Sequence, residues 1–445
     1  MSSLSLSVIG LGKLGSPFAA VMAAKGYRVT AVDKNKKFVM AINGGIAPVP
    51  EPQLQEFIKK GRARLRATMN MEEAVLNSDV TFIIVPTPSG KDGVFNNAFV
   101  LSAIKEMGPA IKKKKTRHII VVTSTVMPGS SDSIIRETIE KATGKIVGDS
   151  IGYCYNPEFI ALGSVIGDML DPDFILIGES DARSGKTVGD IYKKVCGKDT
   201  ILHRMNCVNA ELTKLSINTF VTAKISYANM LTDICERLPG ADVDVVTAAV
   251  GADSRIGKKY LKGAVAYGGP CFPRDNIALS MMARKLGARV DLSFATDRIN
   301  DYQTERLNKR IEKMFPSGAH IGIAGMSYKP DTPVIERSAG MALAAQLLRN
   351  GYKVSITDPL AAKAAKAALN DKVSVVPDIK TLGAKVDVLL VMNAQHEYRK
   401  LTIGKRKNPL VIFDCWRIYD PNKFGKKAVL LALGRGNSFV KKKAG

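Results

Sequence analysis

Short apolar runs alternate with amphipathic stretches over roughly the first 150 residues of the chain. Near-continuous apolar runs are typical of strands that are buried on both faces of a parallel sheet. The amphipathic stretches between them, such as residues 17–25, predict the helices that cover such a sheet. The pattern therefore predicts a doubly wound α/β domain. The strands that it predicts are residues 6–9, 29–32, 80–85 and 119–123, followed by 151–155 and 174–177.

The middle of the chain has a different pattern. Residues 211–238 contain neither glycine nor proline, and Pro239 and Gly240 then end the run. Apolar side chains recur along it at helical spacing, and one helix of this length would measure about 42 Å at ~1.5 Å per residue. Because such a helix is longer than a small domain needs, we expect a spine between domains and a surface for dimerisation.

A second alternation follows the central region and predicts another, smaller α/β domain. Its predicted strands are residues 320–324, 353–357, 386–392 and 410–413, and residues 340–349 predict one of its helices. The predicted fold is therefore α/β, with two Rossmann-like doubly wound domains joined by a long central helix. The predicted segments are residues 1–200, 201–305 and 306–445.

Composition narrows the class of protein. With 445 residues, of which 46% are hydrophobic and 24% charged, the chain can build two or three cored domains and is unlike disordered proteins. No stretch approaches the ~18 apolar residues of a membrane span. The N-terminus runs directly into the first predicted strand, so we expect neither a membrane helix nor a signal peptide.

Charge and cysteine content add two expectations. The 65 Lys and Arg residues against 41 Asp and Glu residues give a net charge of +24, which favours anionic partners. The basic residues are dispersed and the chain has no zinc knuckle or RNA-recognition motif, so we expect no nucleic-acid partner. The six cysteines show no CxxC pair and no Cys/His cluster, so we expect no metal site and free thiols in a reducing cytoplasm.

A glycine-rich turn follows the first predicted strand. Its glycines allow a tight turn, close approach of the backbone to a pyrophosphate, and tight packing of the following helix, whose N-terminus favours phosphates. Asp33 ends the second strand 18 residues after this turn, where a carboxylate holds a ribose 2′-hydroxyl and repels a 2′-phosphate. The pattern predicts an NAD site formed by Gly10, Leu11, Gly12, Lys13, Leu14, Gly15 and Asp33.

Two further turns follow predicted strands. Residues 85–88 (VPTP) end the third strand and residues 124–129 (STVMPG) end the fourth. Ligands of open parallel sheets bind beyond the carboxyl ends of the strands. We therefore expect Thr87, Pro88 and Thr125 to line the nicotinamide side of the cofactor site.

The cysteine best placed for chemistry is Cys271, in the glycine- and proline-rich segment 267–275. Its small neighbours allow a substrate to approach the sulfur, and a helix that opened here would favour a thiolate. Lys214 and Asn218 are four residues apart on the central helix and therefore share a face. A lysine facing a dinucleotide cleft can act as an acid, a base or a partner of an oxyanion.

These motifs, in this order, resemble the UDP-glucose/GDP-mannose dehydrogenase family of nucleotide-sugar 6-dehydrogenases. The resemblance covers nearly the whole chain. It rests on the glycine turn with Asp33, and on VPTP, STVMPGS, NPEF (156–159), ELTKLSINTF (211–220), SRIGKKYLKGAVAYGGPCFPRD (254–275) and GMSYKPDT (325–332).

The resemblance implies that segment 1–200 binds NAD, that segment 201–305 forms a homodimer or higher oligomer, and that segment 306–445 binds the nucleotide sugar. It implies two successive NAD-dependent oxidations of the sugar C6 alcohol, through a thiohemiacetal and a thioester on Cys271. The GGxCFP form is nearer to the UDP-glucose branch, so UDP-glucose is the expected substrate. UDP-N-acetylglucosamine, UDP-galactose and GDP-mannose remain open.

The resemblance also implies individual roles. Lys214 and Asn218 face the reacting oxygen, and Asp275 shares proton transfer with Lys214 and a water. Thr125 and Glu158 lie in the catalytic and cofactor surroundings, and Arg255 resembles the arginine that reaches the substrate across the dimer. The implied substrate contacts are Glu158, Phe159, Lys214, Asn218, Arg255, Tyr260, Tyr267, Gly268, Lys329 and Arg417.

The sequence departs from the family pattern at three places. Pro270 stands where serine is usual beside the nucleophile, and Leu162 replaces a second glutamate, so the proton relay is expected to rest on Glu158 and Asp275. Glu336 occupies the usual arginine position and Arg337 follows it. Arg337 is therefore the candidate contact to the NAD pyrophosphate.

Two other functions compete with this four-electron oxidation. A two-electron β-hydroxyacid-type dehydrogenase also combines a Rossmann domain with a lysine and an asparagine four residues apart on a helix, but it lacks the cysteine and the second α/β domain. A basic nucleic-acid-binding protein would use the charge of +24. A salt-sensitive gel shift that competes with NAD would reveal it.

Overall fold

The computed structural model describes residues 4–197 and 199–436. Contacts divide this part of the chain into two compact units, which adjoin in sequence between Ser216 and Ile217. Each unit is built around one sheet. The boundaries of the three predicted segments remain predictions.

The first unit contains eight strands. They are β1 (Ser5–Ile9), β2 (Arg28–Val32), β3 (Leu65–Thr68), β4 (Val80–Ile83), β5 (Ile119–Val122), β6 (Gly152–Tyr155), β7 (Ile175–Glu179) and β8 (Leu202–Met205). They form one sheet in the order β3-β2-β1-β4-β5-β6-β7-β8. Neighbouring strands run parallel except β6 and β7, which run antiparallel.

All six strands predicted in this unit are confirmed, each end within two residues. Sequence analysis missed β3 and β8, the two edge strands. Their residues alternate between buried and exposed or are only half buried, so they lack the continuous apolar run of a central strand.

Nine α-helices begin in the described part of the first unit. They are α1 (Gly15–Ala24), α2 (Lys36–Gly44), α3 (Leu54–Gly61), α4 (Met71–Leu76), α5 (Ala98–Lys113), α6 (Arg136–Thr143), α7 (Val165–Leu170), α8 (Ala182–Cys196) and α9 (Cys207–Arg237). Helix α9 is the predicted long helix, but it begins four residues earlier. The side chain of Asn206 explains the earlier start, because its Oδ1 accepts the N–H of Asn209.

The second unit contains six further helices and six strands. The helices are α10 (Val243–Ala252), α11 (Phe272–Lys285), α12 (Asp291–Met314), α13 (Ala339–Arg349), α14 (Ala362–Ala368) and α15 (Ile379–Lys385). The strands are β9 (His320–Ala324), β10 (Lys353–Thr357), β11 (Ser374–Val375), β12 (Val388–Val391), β13 (Leu410–Asp414) and β14 (Ala428–Ala432). They form a parallel sheet in the order β11-β10-β9-β12-β13-β14. The four predicted strands are confirmed, and the edge strands β11 and β14 were missed.

Both sheets bury side chains on both faces. In β5, Ile119 and Val121 enter one apolar cluster while Ile120 and Val122 enter the other. In β12 of the second unit, alternate residues likewise divide between two clusters. Burying each such side chain contributes about 1.5–3 kcal/mol, and the two-sided burial confirms the predicted doubly wound architecture. Within the described residues, no helix is both long and apolar enough to cross a membrane.

Candidate active site

The glycines of the first turn do different work. Gly10 has a φ of +100°, and a Cβ there would lie 2.2 Å from the carbonyl oxygen of Ile84. A Cβ on Gly15 would lie 1.9 Å from the carbonyl oxygen of Gly10, so this glycine lets α1 pack on the turn. At Gly12, no described atom lies within 4 Å of the Cβ position. Gly10 and Gly15 therefore shape the turn, and Gly12 leaves space beside it.

Asp33 is linked to the same turn. Its carboxylate accepts the N–H of Leu11 (2.7 Å) and the N–H of Asn35 (2.7 Å). No described side chain caps the first turn of α1, and that turn carries no acidic residue. Its N–H groups, the open space at Gly12 and the half-buried Asp33 fit the pyrophosphate and ribose of NAD. Lys13 is exposed.

The two turns that follow β4 and β5 are joined. The hydroxyl of Thr87 donates to the carbonyl oxygen of Thr125 (2.7 Å). The hydroxyl of Ser124 donates to the carbonyl of Val85 (2.7 Å) and accepts the N–H of the same residue (2.9 Å). Thr87, Pro88 and Thr125 thus lie at one edge of the sheet, the edge at which parallel sheets bind ligands.

Glu211 fixes the start of α9 to the turn after β5. Its carboxylate accepts the N–H groups of Gly129 (2.6 Å) and Ser131 (2.8 Å) and the hydroxyl of Ser131 (2.6 Å). Burial raises the pKa of Glu211 to about 7, against the lowering effect of these donors. Sequence analysis missed this residue, although a carboxylate in the same motif as Lys214 was the available signal.

Lys214 lies one turn further along α9 and is buried. Its Nζ donates to the backbone carbonyl of Glu158 (2.6 Å) and lies 4.5 Å from the ring centroid of Phe159. Burial raises the pKa of the Glu158 carboxyl, while the Tyr192 hydroxyl and the Lys214 charge lower it. The structure therefore brings Glu158, Phe159 and Lys214 together in the first unit.

In the second unit, Cys271 is exposed and is the N-cap residue of α11. The loop before it approaches the segment that follows β9. A Cβ on Gly268 would lie 2.1 Å from the carbonyl oxygen of Arg337, and one on Gly269 would lie 2.7 Å from the ring of Tyr328. The two glycines therefore permit this close approach, and Cys271 sits at a helix N-terminus as the sequence predicted. Such a position favours a thiolate.

Asp275 lies one turn inside α11 and is almost fully buried. Its Oδ2 accepts the side-chain N–H of Asn218 (2.6 Å), and its Oδ1 lies 3.5 Å from Nε of Arg274. The structure thus joins Asn218 and Asp275, two residues that the resemblance named. An amide donor on a buried carboxylate holds both side chains in one orientation.

Aromatic rings surround the Cys271 loop. The ring of Phe272 makes edge contacts with Tyr260 (centroids 6.1 Å apart) and Tyr267 (6.4 Å). Burial, with Cys271 and Tyr260 nearby, raises the pKa of Tyr328 to about 12. Tyr260 is exposed and has a φ of +62°. Sequence analysis missed Tyr328, although it precedes the predicted contact Lys329, whose Nζ lies 6.0 Å from the Tyr328 ring centroid.

The three predicted arginines have different surroundings. Arg255 is exposed and pairs with Asp253 (2.6 Å), and Arg337 is exposed with a φ of +51°. The Arg417 side chain is fully buried, and its guanidinium donates to both oxygens of Asp244 and to three backbone carbonyls. Substrate contact by Arg417 requires this ion pair to open, so its binding role remains a prediction.

The described part of the chain shows neither a metal-binding cluster nor a disulfide. It contains no group of three or more His, Cys, Asp or Glu side chains that could hold a metal ion. All six cysteines, each of which is described, are free thiols.

Three consecutive family models match the chain. They are the NAD binding domain (residues 4–196), the central domain (208–302) and the UDP binding domain (322–421) of the UDP-glucose/GDP-mannose dehydrogenase family. Together they cover most of the sequence, in the order that the motifs indicated.

Individual relatives agree with these matches. The UDP-glucose 6-dehydrogenase AglM of Haloferax volcanii is 35% identical over 363 residues, which are 80% of this chain and 84% of the relative. The GDP-mannose 6-dehydrogenase of Pseudomonas aeruginosa is 32% identical over 80% of this chain and 81% of the relative. A UDP-glucose dehydrogenase structure from Pyrobaculum islandicum superposes over 98% of both chains, with a TM-score of 0.90 and 32% identity. The chain therefore belongs to the UDP-glucose/GDP-mannose dehydrogenase family, and it is an NAD-dependent nucleotide-sugar 6-dehydrogenase.

Proposed function

We propose that this enzyme oxidises the C6 alcohol of UDP-glucose to the carboxylate of UDP-glucuronate, using two NAD⁺ for each sugar. The observation that carries this proposal is the exposed Cys271 at the N-terminus of α11, one turn before the buried Asp275 that Asn218 holds. A thiol so placed can trap an aldehyde, which a two-electron alcohol dehydrogenase does not require.

The chemistry proceeds in two oxidations. Bound NAD⁺ would supply the hydride acceptor for each of them. The Cys271 thiolate adds to the C6 aldehyde to give a thiohemiacetal, whose oxidation gives a thioester, and water then displaces the thiolate. One UDP-glucose, two NAD⁺ and one water give one UDP-glucuronate, two NADH and three protons.

The chain's own residues supply charge and proton transfer. Lys214 and Asn218 donate hydrogen bonds to the negative oxygen on C6, and Asp275 accepts protons in concert with Lys214 and a water. The glycine turn, Asp33, Thr87, Pro88 and Thr125 hold NAD. Arg337 contacts its pyrophosphate.

The similarity to two UDP-glucose dehydrogenases supports UDP-glucose as the substrate. The GDP-mannose 6-dehydrogenase of Pseudomonas aeruginosa is nearly as similar, so GDP-mannose is the main alternative, followed by UDP-N-acetylglucosamine and UDP-galactose. Steady-state kinetics on this panel, with NAD and with NADP, decide among them. The proposal expects the highest kcat/KM for UDP-glucose with NAD, and a higher value for another sugar would overturn that assignment.

The Cys271→Ser variant tests the covalent step. An alcohol is a far weaker nucleophile than a thiolate, so we expect a loss of turnover of about 100-fold or more. Cys235→Ser is the matched control, because Cys235 is buried in α9 away from the proposed chemistry. Full turnover by Cys271→Ser would contradict the mechanism.

We also propose a homodimer formed through α9. In the second unit this helix exposes a row of large apolar side chains: Phe220, Tyr227, Met230 and Ile234. Their spacing of three, four and seven residues places them on one face, and a second copy of the chain would cover it. Phe220→Asp should yield monomers in light scattering, whereas Leu286→Asp, at another exposed apolar residue, should not. A monomeric wild type would refute the dimer.

A cytoplasmic location completes the proposal. Free thiols persist in reducing compartments, and all six cysteines of this chain are free. Recovery of the enzyme in an extracellular or periplasmic fraction would contradict it.

A further inference from the structure

Three polar side chains meet behind the Lys214 site. Asn156 and Glu158 follow β6, and Tyr192 projects from α8. The Tyr192 hydroxyl lies 2.7 Å from Oδ1 of Asn156 and 2.7 Å from Oε1 of Glu158. Asn156 and Tyr192 are each only 1% exposed, so water does not complete their hydrogen bonds.

Both oxygens need a proton from a single hydroxyl. A tyrosine hydroxyl carries one hydrogen, and an amide oxygen only accepts. If Glu158 were ionised, the Tyr192 hydroxyl would lie between two acceptors, the Glu158 carboxylate and Oδ1 of Asn156. The hydroxyl could donate to only one of them, so the other short contact would place two lone pairs against each other. If Glu158 is protonated, it donates to Tyr192, and Tyr192 donates to Asn156.

The orientation of Asn156 removes the other solution. Its Nδ2 donates to the backbone carbonyl of Leu176 (2.9 Å). Turning the amide over would place Oδ1 against that carbonyl, which can only accept, inside a buried region. Oδ1 of Asn156 therefore faces Tyr192 as an acceptor.

We propose that the Glu158 carboxyl is protonated and neutral in the resting enzyme, because Asn156 accepts the Tyr192 proton that an ionised Glu158 would need. Both are positioning residues, since they act through Glu158. The protonation follows from the hydrogen bonds alone, and only its catalytic meaning rests on the proposed function.

The charges around Glu158 agree with this assignment. Burial is the largest influence on the pKa of Glu158 and raises it. A hydrogen bond donated by Tyr192 and the Lys214 charge on α9 lower it, and the first of these is absent when Tyr192 donates to Asn156. From α8, Glu158 is faced by Tyr192 and by Cys196, whose pKa burial raises to about 11 and which is therefore neutral near pH 7. The charge that acts on Glu158 in these interactions is that of Lys214, whose Nζ donates a hydrogen bond to the backbone carbonyl of Glu158.

A neutral Glu158 has a consequence for Lys214. A carboxylate beside the ammonium group would cancel part of its positive charge. A protonated carboxyl leaves that charge for the alkoxide or oxyanion on the sugar. Glu158 also enters the reaction with a proton that it can donate, which completes the relay left shorter by Leu162.

Infrared spectroscopy of the full-length enzyme without substrate tests the proposal. A protonated carboxyl has a C=O stretching band that ionised carboxylates lack. The difference between wild type and Glu158→Gln, recorded at slightly alkaline pH, should contain this band. Glu211→Gln is the matched control, because Glu211, with a pKa of about 7, is mostly ionised there. Absence of the band from the Glu158→Gln difference would overturn the proposal.

Two further variants move the band in opposite directions. Asn156→Leu removes the oxygen that accepts the Tyr192 hydrogen bond. Tyr192 should then donate to Glu158 and stabilise its ionised form, so the band should be lost. Tyr192→Phe removes the donor to an ionised Glu158, so the band should persist at a shifted frequency. Persistence in Asn156→Leu together with loss in Tyr192→Phe would contradict the network. If either variant fails to fold, the wild-type difference still decides.

The infrared band and the number of NADH formed per sugar test two different claims. A band in the substrate-free enzyme confirms the protonation whatever sugar is oxidised. If the band is present but only one NADH forms per sugar, the proposed function fails and the protonated Glu158 stands.

Discussion

The two sheets begin with the same turn, and they use it differently. Gly10 and Gly325 follow the first strand of their sheets with φ near +100°. In each unit a second glycine packs the next helix on the first: a Cβ on Gly15 would lie 1.9 Å from the Gly10 oxygen, and one on Gly340 would lie 2.2 Å from the Gly325 oxygen. The glycines that shape a Rossmann turn are therefore present twice.

A second similarity between the two units is the aspartate that follows the second strand of each sheet. Asp33 follows Gly15 by 18 residues, and Asp358 follows Gly340 by 18 residues. Asp33 accepts two backbone N–H groups and stays half buried. Asp358 is buried and accepts four backbone N–H groups and the Ser327 hydroxyl. Only Asp33 keeps lone pairs for a ribose hydroxyl.

The helix N-termini differ in the same sense. Helix α1 has no described side-chain cap, whereas the N-terminus of α13 is capped by Ser338, whose Oγ accepts the N–H of Met341. Between its two glycines the second unit has a longer connection, which places Tyr328 against the Cys271 loop. The shared glycines therefore support the same local fold in both units, and we infer that the residues between them distinguish what each unit binds.

The shared part of the turns should give the largest effects. At positive φ, Gly10→Ala places a Cβ against the carbonyl of Ile84, and Gly325→Ala places one against the side chain and backbone nitrogen of Asn393. Each should lower the free energy of unfolding by about 3 kcal/mol. Urea unfolding measures both. Trp416, the one tryptophan, lies in the second unit and reports Gly325→Ala by fluorescence. A loss below about 1 kcal/mol at either glycine would break the parallel.

Two carboxylates, the buried Glu211 and the half-buried Asp244, should give the two units opposite responses to pH. The pKa of Glu211 is raised by burial from 4.5 to about 7, so the native state binds the proton more tightly and the free energy of unfolding falls as pH rises from about 5 to 7. In the second unit, burial raises the pKa of Asp244 but Arg417 lowers it more, so this contribution is lost as pH falls below the usual Asp range.

The Glu211→Gln variant isolates the first response. Its unfolding free energy, measured by urea at pH 5 and pH 7, should lose a pH-dependent contribution of about 2 kcal/mol between these two pH values. Tyr153→Phe is the control. It removes a hydroxyl that contacts Ser131, but it leaves the hydrogen bonds between Ser131 and Glu211 in place. An unchanged pH dependence in Glu211→Gln would refute the assignment.

The residue between the glycines should affect binding and leave stability alone. Gly12→Val puts a side chain into open space where the pyrophosphate would lie, so NAD affinity should fall about 100-fold. The free energy of unfolding should change by less than about 0.5 kcal/mol, as at an uncrowded surface position. Calorimetric titration with NAD measures the first and urea unfolding the second. Normal NAD affinity would show that the cofactor lies elsewhere.

Substitution of the two corresponding aspartates, Asp33 and Asp358, should give smaller and different effects. Asp33→Asn should weaken NAD binding about tenfold, because it removes the charge-assisted acceptor for the ribose hydroxyl. Asp358→Asn should leave NAD binding unchanged and destabilise the second unit by about 1–2 kcal/mol, since one oxygen with backbone donors becomes an NH₂ group. Weaker NAD binding in Asp358→Asn would contradict the division of roles.

Sequence analysis reached the parts of the molecule that local patterns encode. Continuous apolar runs gave the central strands, and the spacing from Gly10 to Asp33 gave the NAD turn. The second turn was missed because Gly325 and Gly340 are 15 residues apart, so the compact glycine motif is absent there. Of the edge strands, β3, β8 and β11 lack an apolar run, whereas β14 (AVLLA) has one and was nevertheless missed.

Long-range pairings in the candidate site were also invisible. Arg417 pairs with Asp244, which lies 173 residues earlier, and nothing in either local sequence indicates the other. Tyr192 stands on a helix that reads as ordinary amphipathic covering, yet its hydroxyl contacts Glu158. The motifs contain the residues to which we assign the chemistry, and only the fold shows which side chains contact them.

The central claim is that one active site carries out two oxidations on one sugar. The most direct measurement is the number of NADH molecules formed for each UDP-glucose consumed, by absorbance for NADH and chromatography for the sugar. The account predicts two NADH per sugar, with UDP-glucuronate as the product and no free aldehyde. One NADH per sugar, with a released C6 aldehyde, would contradict it.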